Sequence, residues 1–202
     1  MRSLIVPMAG RSSRFPNMRP KWMLTHPMTN RFMVTESILG LNLDFFDNIW
    51  FICLQEHEDK YQFMKGLVSE LDEVGLRSKS NIVLLPEQTD SQSETVYTFL
   101  SGQELEGFVF IKDSDGFYRC DVEERNQVAY FDLNDMDDIN ARTKSYIELD
   151  VNNVITNIVE KKVVSSTFSS GGYGFADAKE FCKTFEKLQD MDGECYISHI
   201  IF

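Results

Sequence analysis

Cysteine is scarce in this sequence. The chain of 202 residues has four cysteines, which are far apart: Cys53, Cys120, Cys182 and Cys195. No two of them form a Cys-x-x-Cys pair, and their density is well below that of a small disulfide-stabilised protein. We therefore expect four reduced thiols rather than a disulfide framework.

Basic residues are also in deficit. The chain has 20 lysines and arginines against 32 aspartates and glutamates, which gives a formal net charge of −12 at pH 7. Such a charge argues against broad electrostatic binding to nucleic acid or to an anionic membrane. A small anionic ligand is still compatible with it, because local basic residues and Mg²⁺ can hold a nucleotide inside an acidic protein.

The amino terminus has no long hydrophobic run. Leu4-Ile5-Val6 is followed at once by Pro7, so the run is too short for a signal sequence or a membrane span. We expect a cytoplasmic protein without membrane insertion. The segment from Tyr196 to Phe202 is hydrophobic, which is unusual for a free terminus and suggests a truncated chain or a domain of a longer protein.

Two common nucleotide-binding signatures are missing. The sequence has neither a Walker Gly-Lys-Ser/Thr nor a Gly-x-Gly-x-x-Gly, and it has no internal repeat. Neither a P-loop NTPase nor a dinucleotide-binding fold is favoured.

Four short apolar runs in the first half predict buried strands: Leu4–Val6, Ile49–Ile52, Ile82–Leu85 and Phe108–Ile111. Their continuous hydrophobicity is typical of strands covered on both faces of a parallel sheet. Helical patterns lie between them, at Phe32–Leu41, in a stripe from Tyr61 to Leu71, and from Ser93 onward. This order predicts an α/β fold, as a single three-layer Rossmann-like domain over residues 1–202.

The second half predicts a different part of the sheet. Shorter strand-like segments occur at Gln127–Phe131, Ser145–Leu149 and Val154–Val159, and an apolar stripe from Ala178 to Leu188 predicts a helix. We expect the sheet to be mixed, mostly parallel, with antiparallel strands in this half. The acidic run 132–138 is interpreted as a solvated loop.

The loop after the first strand is the first candidate site. It comprises Met8, Ala9, Gly10, Arg11, Ser12, Ser13 and Arg14, and Pro20-Lys21 follows it. Small residues after a strand expose backbone N–H groups that can cradle phosphates, while Arg14 and Lys21 can neutralise their charge. An ordinary strand-to-loop turn is the structural alternative.

Two carboxylates at the end of the fourth strand form the second candidate site. Asp113 and Asp115 follow the apolar run directly, at the sheet edge where open α/β folds bind ligands. Carboxylates there can hold Mg²⁺, or Mn²⁺ in its place, against phosphates. An Asp-Gly turn without a ligand would look the same in sequence.

These segments together resemble the sugar-phosphate nucleotidyltransferases. That family opens with a Gly/Ala-rich loop ending in Arg-Phe or Arg-Leu, followed by Pro-Lys, as in 7–15 and Pro20-Lys21 here. One departure is the Ser12-Ser13 pair, where the family often has a second glycine. The resemblance implies that Asp115 binds the metal, with Asp113 as its neighbour.

The resemblance also implies roles for three later segments. Gln92 and Ser93 lie in a polar segment that contacts the nucleotide, although Ser91 or Ser93 could equally be a helix N-cap. Glu160 and Lys161 match a Glu-Lys pair in which the lysine faces the acceptor's phosphate. Gly172 lies in a glycine-containing strand that lets the substrate approach the backbone.

His199 falls where the family often has a second metal-binding aspartate. Imidazole is a poorer Mg²⁺ ligand than a carboxylate, so a structural histidine is the alternative to a metal ligand at His199.

The implied reaction transfers a nucleoside monophosphate from an NTP to a small phosphorylated substrate, such as a sugar phosphate, and releases pyrophosphate. Two alternatives stay open. Asp113-Ser114-Asp115 is also the Asp-x-Asp of metal-dependent glycosyltransferases that use nucleotide-sugars. A non-catalytic nucleotide-binding domain would suit His199 and the short ending. The NTP, the acceptor and the oligomeric state are not identified by sequence.

Overall fold

The four apolar runs of the first half form the parallel core of the sheet. A computed structural model describes residues 1–10, 18–137, 140–190 and 194–202. Its first strands are β1 (Arg2–Pro7), β2 (Asn48–Leu54), β3 (Ser80–Leu85) and β4 (Phe108–Lys112). β1 pairs in parallel with both β2 and β4, and β2 pairs in parallel with β3. The predicted parallel strands are confirmed.

Alternate residues of these strands face two separate cores. Phe108 and Phe110 of β4 belong to one hydrophobic cluster, whereas Val109 and Ile111 belong to the other. All four side chains are fully buried. Because successive strand residues point to opposite faces, a strand covered on both faces reads as an unbroken apolar run.

Helices cover both faces and give three layers. α1 (Met33–Ile38) and α3 (Met64–Glu73) contribute to the first core. α4 (Gln92–Gln103), α5 (Ala178–Leu188) and α6 (Ile197–Ile201) contribute to the second. The three-layer α/β architecture predicted from the sequence is confirmed.

The stripe from Tyr61 to Leu71 belongs to two helices rather than one. α2 spans Gln55–Tyr61, and Gln62 then adopts a left-handed conformation with φ 51°. The Met64 N–H donates to Glu58 Oε2 at 3.0 Å and thereby satisfies a free amide at the start of α3. Helical spacing continues across this break, so periodicity alone did not reveal it.

The second half completes a mixed sheet. Its strands are β5 (Gln127–Asp132), β6 (Ser145–Leu149), β7 (Ile155–Glu160) and β8 (Thr167–Phe175). β8 is antiparallel to β4, β5 and β6, and β7 is antiparallel to β6. The eight described strands therefore form one sheet with the order β3-β2-β1-β4-β8-β6-β7, in which β5 also pairs with β8.

Packing explains part of the hydrophobic segment after Tyr196, although Phe202 is 62% exposed. α6 buries Ile197 and Ile200 in the second core, where α5 contributes Phe181 and Phe185.

The four cysteines are free. None of the helices in the described ranges is both long enough and apolar enough to cross a bilayer.

A carboxylate on α3 fastens the start of α1. Glu70 accepts the Phe32 N–H at 2.9 and 3.0 Å and the hydroxyl of the buried Thr35 at 2.5 Å. These bonds satisfy an amide at the amino end of α1, which has no partner within its own helix. They thereby link α1 to α3, the two helices that contribute to the first core.

We expect Glu70→Ala to lower the free energy of unfolding by about 1–3 kcal/mol, because the amide and the buried hydroxyl lose their acceptor. Urea unfolding measures the change. The control is Glu73→Ala on the same helix, whose side chain is 63% exposed and pairs with Arg31; it should lose less than about 1 kcal/mol. Equal losses of unfolding free energy in the two variants would refute this stabilising role of Glu70.

Candidate functional site

Parallel pairing brings the two candidate loops together. Ile5 of β1 lies beside Ile111 of β4, so the segments that follow both strands emerge at the same sheet edge. Met8 and Ala9 are buried, and the Met8 N–H donates to the Ile52 carbonyl at 2.7 Å. Gly10 is exposed. Contacts of these three residues with a nucleotide stay a prediction, and Arg11, Ser12, Ser13 and Arg14 lie outside the described residues.

Lys21 and Asp115 meet at this edge. The Lys21 Nζ lies 3.2 Å from Asp115 Oδ2, and each side chain is 38% exposed. Lys21 begins a single turn of 3-10 helix, Lys21–Met23, whose Trp22 and Met23 are buried. The buried neighbours hold the lysine in place while its ammonium stays accessible. Two residues singled out from distant segments are thus in direct contact.

A cleft of about 240 Å³ opens beside this pair. Its lining is Met18, Arg19, Lys21, Leu24, Met33 and Asp115. Arg19 was not singled out from the sequence, although its position next to Pro20-Lys21 placed it in the same basic segment. The cleft combines two cations with one carboxylate, which suits an anionic ligand accompanied by a metal ion.

Asp113 is held from two sides. Gln92 Nε2, at the start of α4, donates to Asp113 Oδ1 at 2.7 Å, and the Asp113 N–H donates to the Gly171 carbonyl at 2.8 Å. Burial raises the pKa of Asp113 to about 6, and the neighbouring Asp115 adds to the effect. Gln92, predicted to contact the nucleotide, here orients a candidate metal ligand.

Lys112 was not among the residues singled out from the sequence. Its side chain is fully buried, and its Nζ donates to the Asp113 carbonyl at 2.8 Å and to the Gly116 carbonyl at 2.5 Å. The Nζ also lies 4.3 Å from the centre of the Tyr118 ring. Burial lowers the pKa of Lys112 to about 8. The available signal was a lysine directly after an apolar strand and before an Asp-x-Asp.

Ser93 makes protein contacts. Ser91 is the N-cap of α4, since its hydroxyl accepts the Glu94 N–H at 3.1 Å. The buried Ser93 hydroxyl lies 2.9 Å from that of Ser91 and donates to the Cys195 carbonyl. This gives Ser93 a structural role in joining α4 to the segment before α6, and a contact with nucleotide stays a prediction.

Glu160 and Lys161 are tied to the start of α6. Glu160 Oε1 accepts the Ser145 hydroxyl at 2.6 Å and also the Ser198 hydroxyl. The Lys161 ammonium donates to the Tyr196 hydroxyl, which raises the pKa of Lys161, and lies 4.6 Å from the centre of that ring. An acceptor phosphate at Lys161 would have to replace or share the tyrosine contact.

Gly172 is surrounded by protein on the side where a side chain would project. A methyl group added there would lie 2.0 Å from the Tyr118 hydroxyl and 2.8 Å from Phe110 Cζ. The missing side chain thus serves packing between β8 and the segment after β4. Packing therefore gives a reason for a glycine at this position, and contact of the substrate with its backbone stays a prediction.

His199 caps α6. Its Nδ1 accepts the Tyr196 N–H at 3.3 Å as part of a reciprocal capping box, and the two rings meet edge to face at 5.4 Å. The contacts of His199 in this structure are therefore those of a structural histidine. Within the described ranges, no group of three or more His, Cys, Asp and Glu residues could hold a metal.

Asp113 and Asp115 are the donors that fit Mg²⁺. Carboxylate oxygens are its usual protein ligands, and Mg²⁺ commonly takes one or two carboxylates together with phosphate oxygens and water. A site made of this pair would therefore be completed by the phosphates of a bound nucleotide.

Comparisons with solved structures identify the fold. The nucleoside-diphosphate-sugar pyrophosphorylase from Vibrio cholerae RC9 matches with a TM-score of 0.72 and 17% identity, over 99% of this chain and 85% of that one. UDP-glucose pyrophosphorylase complexed with UDP-glucose matches with a TM-score of 0.71 and 12% identity, over 100% and 85%. This chain has the nucleotide-diphospho-sugar transferase fold.

A third match to this transferase fold has a different type of substrate in its name. The inositol-1-phosphate CTP transferase from T. maritima matches with a TM-score of 0.69 and 11% identity, over 99% of this chain and 79% of that one. No protein-family model and no curated protein matches the chain. The TM-scores establish the fold, whereas identities this low do not establish the reaction.

We expect Gly172→Ala to lower the free energy of unfolding by about 1–3 kcal/mol without any ligand present, because the added methyl overpacks a filled space. The control is Gly102→Ala on α4, where a methyl group would meet nothing within 4 Å. Since alanine is the better helix former, this variant should be as stable as the wild type or more stable. Denaturant unfolding compares the two; a harmless Gly172→Ala would contradict the packing account.

Proposed function

We propose that this chain is a metal-dependent nucleotidyltransferase that joins the nucleoside monophosphate of an NTP to a small phosphorylated substrate, most plainly a sugar phosphate. The observation that carries the proposal is the contact between Lys21 and Asp115 at the carboxyl edge of the sheet. It places a cation beside a candidate metal ligand, as the binding of a triphosphate with Mg²⁺ requires. The solved structures that share the fold are named as pyrophosphorylases and a CTP transferase.

In the proposed reaction, a phosphate oxygen of the acceptor attacks the α-phosphorus of the NTP. The bond from that phosphorus to the bridging oxygen breaks, and pyrophosphate leaves. A phosphate monoester is largely ionised near neutral pH, so no strong general base is needed. Catalysis then rests on positioning and on charge neutralisation.

The cations have separate roles in this scheme. Lys21 neutralises the triphosphate and the charge that develops on the leaving pyrophosphate, and we assign the same role to Arg14. Lys161 orients the attacking phosphate when its ammonium exchanges the hydrogen bond with the Tyr196 hydroxyl for one with the phosphate. Asp115, with Asp113 beside it, would hold Mg²⁺, which would supply further positive charge to the phosphate oxygens.

The donor and the biological role are parts of the proposal. A pyrimidine nucleotide is the first donor to try, because the names of two matched structures contain CTP or a uridine nucleotide. The product of the proposed reaction would be used in the biosynthesis of nucleotide-sugars or of surface polysaccharides. A cytoplasmic location stays a prediction.

A metal-dependent glycosyltransferase is the second candidate. The observation that favours it is the Asp113-Ser114-Asp115 sequence directly after β4, which also suits the diphosphate of a nucleotide-sugar. Lys21 beside Asp115 favours the triphosphate instead. The products separate the two: nucleotidyl transfer releases pyrophosphate, whereas glycosyl transfer releases a nucleoside diphosphate.

The test is pyrophosphate release from CTP, UTP, GTP, ATP and dTTP with Mg²⁺ and a pool of sugar phosphates and amino-alcohol phosphates. We expect acceptor-dependent release from one NTP. Asp115→Asn and Lys21→Ala should each lower kcat at least about a hundredfold, because the interactions that they remove act in the transition state.

The matched controls are Asp121→Asn and Lys65→Ala, which change exposed residues outside the cleft. Both should retain the wild-type kcat. Lys21→Ala with a normal kcat and only a raised KM would contradict the role of this lysine. Absence of pyrophosphate with every donor would refute the proposed reaction.

A further inference from the structure

Lys112 is the one charged residue of the described ranges whose side chain is buried from solvent. An ammonium is costly to bury unless hydrogen bonds replace its water. Lys112 obtains them from two backbone carbonyls, those of Asp113 and Gly116. The face of the Tyr118 ring supplies a further favourable contact at 4.3 Å.

The two carbonyls bracket both candidate metal ligands. Asp113 and Gly116 are the first and last residues of the segment Asp113-Ser114-Asp115-Gly116. One ammonium that binds both ends of this segment restricts the path of the backbone between them. The direction in which Asp115 leaves the backbone is therefore coupled to Lys112, although the lysine is buried beneath the segment.

The surrounding contacts leave the rest of the segment dependent on this lysine. Asp113 is fixed separately, by Gln92 and by the Gly171 carbonyl. Asp115 is exposed and forms a surface pair with Lys21, a kind of pair that contributes little to stability. Lys112 is thus the buried constraint that acts between Asp113 and Gly116.

We propose that Lys112 is a positioning residue that fixes the 113–116 turn from below, so that Asp113 and Asp115 are pre-arranged to bind one divalent cation together. This inference rests on the proposed function of the same site. It assigns Lys112 no contact with substrate and no role in proton transfer. Its action passes through the backbone carbonyls to the turn that carries Asp115, and so sets the position of Asp115 relative to Asp113.

Simple electrostatics makes the opposite prediction. Removing a positive charge next to two carboxylates should strengthen their attraction for a cation. If Lys112 instead positions the turn, its removal should weaken cation binding, because the two carboxylates are no longer held ready. The sign of the change in affinity therefore distinguishes the two accounts.

The experiment measures Mn²⁺ affinity by electron paramagnetic resonance on the whole chain, without nucleotide. Lys112→Met keeps the aliphatic length of the side chain and removes both hydrogen bonds. We expect it to weaken Mn²⁺ binding about tenfold or more, as is usual when residues that orient metal ligands are lost. In an Asp115→Asn background, the same substitution should cause little further loss.

The structural control is Phe108→Leu. Phe108 is fully buried at the opposite end of β4, so the variant perturbs the same strand without touching the turn. It should keep the wild-type Mn²⁺ affinity. If Lys112→Met does not fold, Lys112→Gln serves in its place, because its amide can still donate to one carbonyl, and its Mn²⁺ affinity should lie below that of the wild type.

Unchanged or tighter Mn²⁺ binding by the Lys112 variant would overturn the inference. So would a wild-type chain that binds no Mn²⁺ at millimolar concentration. Neither readout depends on turnover. A chain whose Mn²⁺ affinity depends on Lys112 but which releases no pyrophosphate would refute the proposed function and leave the positioning role intact.

Discussion

The parallel pairing of β1 with β4 is the constraint on which the site depends. Their register, with Ile5 beside Ile111, fixes where the segments after both strands leave the sheet. Lys21 and Asp115 are 94 residues apart in sequence, yet their side chains meet at 3.2 Å. That pairing is in turn secured by side chains buried on both faces of the sheet. A cation and a candidate metal ligand are thus brought together by the packing of a hydrophobic core.

Much of the fold follows from the sequence because local patterns dominate it. The buried strands read as continuous apolar runs, and the bounds of β6 and α5 match their predicted ranges. The break at Gln62 was not predictable from periodicity, since a left-handed residue can separate two helices without disturbing the spacing of apolar side chains. The reason for α6 was also hidden, because its hydrophobic face is needed only once α5 is in place.

The site was predictable where chemistry is carried by residue type, and less so where it depends on contacts. Lys21, Asp113 and Asp115 stood out as charged groups after strands. The buried lysine at 112 did not, because burial and hydrogen bonds to carbonyls are properties of the folded chain. His199 shows the converse: a position suggested by resemblance proves to cap a helix. The sequence pattern thus indicated the candidate site, and the structure showed the contacts that surround it.

The central claim is that bond breaking occurs at the α-phosphorus of an NTP. The most direct measurement follows two labelled forms of the accepted NTP, one with ³²P at the α-position and one at the γ-position, during reaction with the acceptor. The account predicts that the α-label enters the acceptor product and that the γ-label leaves as pyrophosphate. Transfer of the γ-label to the acceptor, or release of a nucleoside diphosphate from a nucleotide-sugar in place of NTP turnover, would contradict it.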